Sequence, residues 1–138
     1  MSDYEVTELG PIEAWSELTT PDGRPGKGFV DRMIPTQYIG LSANELAPGA
    51  GSAVWHAHAV LEEIYLFLEG AGQMALGEDV IDVRPGTTIR VGQGVMRAIH
   101  ANADSPTPVR YLCIRAGDGE LKDQPRDSER SEAPFPWA

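Results

Sequence analysis

The spacing of glycine and proline constrains this chain more than any other feature: 15 glycines and 11 prolines are distributed along its 138 residues. Glycine admits backbone conformations that other residues avoid, and proline removes an amide donor, so both interrupt regular structure. The breaks fall at Pro48-Gly49, Gly70-Ala71-Gly72, Gly77-Glu78-Asp79, Arg84-Pro85-Gly86 and Gly92-Gln93-Gly94, and a polar loop spans 102–108. Between them the sequence predicts strands over 37–47, 53–58, 64–69, 73–76, 80–83, 87–91, 96–101 and 109–115. Strands this short, separated by turns this regular, predict an all-β sandwich or barrel without long helices.

The flanks read differently. Residues 1–36 form an N-terminal arm with a turn at Thr20-Pro21-Asp22-Gly23, a helical turn or two within 12–18, and a short strand near Phe29 and Val30. The body spans 37–116, and residues 117–138, rich in Asp, Glu, Arg, Ser and Pro, are a tail or an extended arm. Within that tail, Phe135 and Trp137 are held by prolines and would pack if they met a groove on this subunit or another.

A chain of 138 residues supports about one domain and one core. Its formal charge of −10 argues against a nucleic-acid partner and against an anionic membrane surface, both of which need clustered Lys and Arg. No apolar run approaches the length of a membrane span, and the acidic start lacks the basic-then-apolar layout of a signal peptide. Cys113 is the single cysteine, which rules out an internal disulfide and fits a reducing, cytoplasmic compartment; it reads as a small packed hydrophobe.

Chemistry concentrates in His56-Ala57-His58. Residues i and i+2 of a strand share a face, so the two imidazoles point to one side as neighbouring ligands. Residues 59–62 allow a bend, after which Glu63 opens the next strand and returns a carboxylate toward the same centre. Two imidazoles and a carboxylate suit a first-row divalent metal, and a facial arrangement suits non-haem Fe(II). With Glu63 inward, alternation turns Tyr65 and Phe67 inward as possible pocket residues, and Ile64, Leu66 and Leu68 outward onto a face that needs cover. Trp55 alternates with the histidines and faces away from the metal, and either Gln73 or Met74 faces the cavity, depending on the register set at Gly70–Gly72.

His56-Ala57-His58, Glu63 and Gly70 together resemble the first motif of the cupin superfamily, His-x-His-x(3,4)-Glu-x(6)-Gly. The motif's leading glycine falls at Ala50, with Gly49 and Gly51 beside it, so the turn is shifted by a residue. The resemblance covers about residues 37–116 and implies a double-stranded β-helix, the cupin jelly-roll barrel, with N- and C-terminal extensions. It implies His56, His58 and Glu63 as metal ligands for Fe, Mn, Ni, Co or Zn, and a homodimer built through sheet faces and exchanged N-terminal strands. The second motif departs from the family: Gly92 stands for its proline, and Arg97 for its histidine ligand. Arginine keeps its proton and cannot donate a lone pair to a metal. His100 would serve instead only if a bulge turned it inward, a possibility that Asn102, one residue later than the family asparagine, suggests. Alternatively Arg97 enters the pocket and neutralises an anionic substrate or Glu63 itself.

Three functions follow. The first is a metal-dependent enzyme on a small organic molecule, with oxygenase, isomerase or decarboxylase chemistry found among cupins. The second is a non-catalytic small-molecule binder, metal-free if Arg97 occupies the pocket, and the third is a vestigial site in an assembly protein. Arg97 discriminates, because pairing with Glu63 disfavours the metal enzyme.

Overall fold

The short apolar runs pair into two five-stranded antiparallel sheets in the computed structural model, which describes residues 3–137. One sheet joins β1 (Lys27–Phe29), β2 (Gly40–Leu46), β9 (Val109–Ala116), β4 (Glu62–Glu69) and β7 (Thr88–Val91), in that order. The other joins β10 (Glu129–Ser131), β3 (Trp55–Ala57), β8 (Arg97–Ala101), β5 (Gly72–Leu76) and β6 (Asp79–Val83). The result is the double-stranded β-helix expected from the sequence. Among the described residues, helix is confined to one or two turns at Ile12–Glu17, α1 (Val30–Met33) and Leu121–Asp123. No helix among the described residues is long and apolar enough to cross a membrane.

Register explains which side chains meet. Across the first sheet, Phe29 lies beside Ser42, Ser42 beside Cys113, and Cys113 beside Tyr65. To one side of it the next row runs Lys27, Asn44, Tyr111, Phe67, and to the other side a row runs Gly40, Arg115, Glu63, Val91. Because strand side chains alternate, these rows share one face, the inner face of the barrel. One end of that interior is packed solid by Phe67, Met74, Val83, Ile99 and Val109, and the other end is polar and open to a cavity. Met74 is therefore the inward residue of its pair, while Gln73 turns out to reach Asp82 and His100.

Gly70 closes the turn between β4 and β5 at φ +82°, where a Cβ would also lie 2.6 Å from the Pro108 carbonyl oxygen and 2.8 Å from Val109 Cα. Both the left-handed backbone and the close approach of β9 require glycine there. The leading turn of the first motif is indeed displaced: Gly49, at φ +85°, takes the left-handed position.

The C-terminal segment is an ordered strap. Its strand β10 pairs with β3, Trp55 donates its indole N–H to the Ala133 carbonyl, and Phe135 packs 5.7 Å from Trp55, ring to ring. Trp137 stacks on His100 at 4.6 Å. The groove that the two aromatics need is thus on this same chain, between Trp55, Met96 and Ala98. By contrast, neither arm covers the outer face of β4, where Ile64 remains 39% exposed.

Candidate metal centre

Glu63 is the hub of the polar end. Its strand carries it inward, 5% exposed, and β9 and β8 bring partners to both carboxylate oxygens. Oε1 accepts the Tyr65 hydroxyl at 2.7 Å and Arg97 Nη2 at 3.1 Å, and Oε2 accepts the Cys113 thiol at 3.2 Å. Burial raises the carboxyl's proton affinity, but the neighbouring His56, the Tyr65 hydrogen bond and the Arg97 charge outweigh it and pull Glu63 down to about 2. The same burial, together with the Glu63 charge, pushes the Cys113 thiol well up, so Cys113 serves as a protonated donor and not as a nucleophile.

His56 and His58 flank this carboxylate. His56 Nε2 lies 3.9 Å from Oε1 and His58 Nε2 3.8 Å from Oε2, both too long for hydrogen bonds. They exceed by a few tenths of an ångström the separation of roughly 3.0–3.6 Å between adjacent donors about 2.0–2.2 Å from one ion, so small side-chain rotations would bring the three groups onto a single metal. One donor atom from each of His56, His58 and Glu63 falls within 4.8 Å of the others. The donor set therefore fits a divalent transition metal, with Oε2 the oxygen less engaged by protein cations.

Asp127, from the C-terminal strap, completes the arrangement. Its Oδ1 lies 3.0 Å from His58 Nδ1, and its Oδ2 accepts the Val60 amide at 2.7 Å. Burial opposes its charge, but the Val60 and His58 contacts outweigh that and hold Asp127 below the usual carboxylate range. An ionised acceptor requires the proton on Nδ1, so neutral His58 carries its lone pair on Nε2, facing Glu63.

The residues singled out from sequence divide into two groups. His56, His58, Glu63, Tyr65 and Arg97 all reach the cavity, whose volume is ≈ 600 Å³. Phe67 faces inward but belongs to the packed end, 1% exposed, and does not line the cavity. His100 does not turn in either: β8 continues its regular pairing with β5 without a bulge, leaving the ring on the outer face against Trp137 and the Gln73 amide oxygen. Arg97 is fully buried, with Nη1 on the Val95 carbonyl and Nε without a hydrogen-bond partner. Two contributors escaped the sequence reading. Cys113 is a wall of the site and not mere packing, a placement signalled by its strand parity with Tyr111 and Arg115. Asp127 had no signal in a tail full of acidic residues.

Comparison with known proteins agrees with this fold. A family model described as a cupin domain matches residues 44–115. The uncharacterized protein MJ1618 of Methanocaldococcus jannaschii is 28% identical over 93 residues, covering 65% of this chain and 73% of that one. A cupin protein of Bacteroides fragilis superposes with a TM-score of 0.71 at 24% identity, over 92% of this chain and 95% of its own. An uncharacterized double-stranded β-helix protein of Klebsiella pneumoniae does so with a TM-score of 0.65 at 15% identity, over 93% and 100%.

Proposed function

We propose, from the premise that this chain belongs to the cupin domain family, that it binds a small organic molecule against a divalent metal held by His56, His58 and Glu63. The observation that carries this reading is the convergence of the three donor atoms within 4.8 Å, with one imidazole already oriented by Asp127. A bound ion would act as a Lewis acid, polarising an oxygen of the molecule beside it. The chain's own residues do the rest. Asp127 fixes the His58 tautomer, Tyr65 and Cys113 hold the carboxylate in place, and Arg97 balances its charge when no other cation does. A cavity of ≈ 600 Å³ suits a metabolite-sized ligand. We assign the half-exposed outer face of β4 to a second copy of the chain, and the buried free thiol to a reducing, cytoplasmic setting.

The Arg97–Glu63 contact at 3.1 Å is the pairing that counts against a metal enzyme, and it supports a second reading, a metal-free pocket in which the guanidinium replaces the ion. Elemental analysis of the purified protein separates the two. Stoichiometric Fe, Mn, Ni, Co or Zn, lost in His56→Ala, supports the metal site. Absence of metal after incubation with each ion in turn rejects it in favour of the metal-free pocket.

A further inference from the structure

Charge is partitioned in this molecule. The chain carries 21 acidic residues against 11 basic ones, yet six of those 11 line the cavity: Arg24, Lys27, Arg97, Arg115, Arg126 and Arg130. Among the acids only Glu63 and Asp127 do so. Both are already engaged, Glu63 by Arg97 and Asp127 by His58 and the Val60 amide.

Only some of the cations at the mouth are paired with acidic side chains. Arg115 is satisfied by Asp31 at 3.0 Å, and Arg24 approaches Asp22. Among the described residues, Lys27, Arg126 and Arg130 have no acidic partner within ion-pair distance. Lys27 stands on β1, its ammonium 5.1 Å from the centre of the Phe29 ring, over which Arg115 also lies at 5.6 Å. Burial there disfavours its charge, and Arg24 and Arg115 add to the strain, so its proton affinity is lowered. Arg126 and Arg130 arrive from the opposite side, on the strap. A recess lined mainly by one sign of charge within a chain of the other sign focuses its field on what enters it.

We propose that the cavity selects a small organic anion, bearing a carboxylate or a phosphate, which Lys27 on one wall and Arg126 and Arg130 on the strap receive while its other end faces His56, His58 and Glu63. This rests on the reading of the cavity as a small-molecule site and names the class of molecule. Guanidinium and ammonium groups are the donors suited to both oxyanions. An anion would also supply the negative charge that the three unpartnered cations lack.

The test is isothermal titration calorimetry on the full chain with succinate, inorganic phosphate and uncharged succinamide, each at low and high salt, with elemental analysis of every sample. The expected result is saturable binding of succinate or phosphate, at least about tenfold tighter than succinamide and weakened by salt. Whichever anion binds more tightly distinguishes the carboxylate from the phosphate. Lys27→Met, and Arg126→Gln with Arg130→Gln, should each weaken that binding by about fivefold or more while metal content stays at the wild-type level. The double variant changes only exposed side chains, so it remains informative if Lys27→Met folds poorly. The proposal is overturned if neither anion binds saturably, if succinamide binds as well as the tighter of the two anions, or if both variants bind like the wild type. Anion binding by a protein that takes up no metal would remove the metal reading and leave this one standing. Metal uptake without any preference for charge would do the reverse.

Discussion

Replacing Arg97 with methionine should make the metal-free protein less stable and its metal site tighter at the same time. The guanidinium is 0% exposed, donates to Glu63 Oε1 at 3.1 Å and to the Val95 carbonyl at 2.7 Å, and sits against a carboxylate that is itself buried. Breaking a buried ion pair from one side costs about 3–5 kcal/mol, because the partner charge is left without compensation. Here the lower end applies, since Tyr65 and Cys113 continue to donate to Glu63 and methionine fills much of the vacated volume. A loss of about 3 kcal/mol in a domain of this size lowers the melting temperature by about 10 °C. Metal affinity should move the opposite way. Arg97 and an ion compete for one carboxylate, and like charges about 4 Å apart repel by about 4 kcal/mol at an effective dielectric constant near 20. Even a third of that repulsion gives about a tenfold gain in affinity. Thermal unfolding in the presence of a chelator reads the first effect, and competition with a coloured chelator reads the second. If the variant melts like the wild type without metal, or binds metal more weakly, the competition between guanidinium and ion is not the organising feature of this site.

Three further outcomes follow from other contacts. Asp127→Ala removes the acceptor on His58 Nδ1 and the Val60 amide contact, so metal affinity should fall by about 10–100-fold while the fold persists; a chelator-competition constant equal to that of the wild type would contradict the orienting role. Gly70→Ala adds a Cβ 2.6 Å from the Pro108 carbonyl oxygen at φ +82°, and should cost about 3 kcal/mol in urea unfolding, far more than the same change at the open turn of Gly77. Burial lowers the pKa of His100 below its ordinary 6.5. The unfolded chain therefore takes up that proton first as pH falls, and stability drops on acidification from 6.5 until the folded form titrates too. His100→Gln should flatten that limb, read as the difference between urea midpoints at acidic and neutral pH.

How far the sequence could be read depends on the distance over which each side chain's position is fixed. His56 and His58 needed only the two-residue period of a strand, and Glu63 and Tyr65 the same rule carried past one bend. Strand alternation also predicted that His100 would fall opposite Arg97, and the unbroken pairing of β8 with β5 bears this out. Phe67 shows the limit of the same rule: alternation gives the face but not the depth, and two residues beyond Tyr65 the barrel interior passes from cavity to packed core. Asp127 lay beyond any local rule. It reaches His58 across 69 residues of chain, and only the pairing of β10 with β3 brings it there, a pairing that composition alone made look like tail.

Net charge speaks for the exterior alone. A formal −10 is a sum over the surface, and it argues soundly against a polyanion, which must meet the outside of the molecule. It carries no information about a recess that holds six of the 11 basic residues and two of the 21 acidic ones. A nucleic acid would meet the average, whereas a metabolite-sized anion would meet Lys27, Arg126 and Arg130. The same excess of acid that argues against the large partner thus leaves the small one open. The acidic exterior should then slow the anion's approach at low salt without removing its preference for the cavity. That makes the salt dependence of the association rate, set beside that of the affinity, the measurement that separates the outer charge from the inner one.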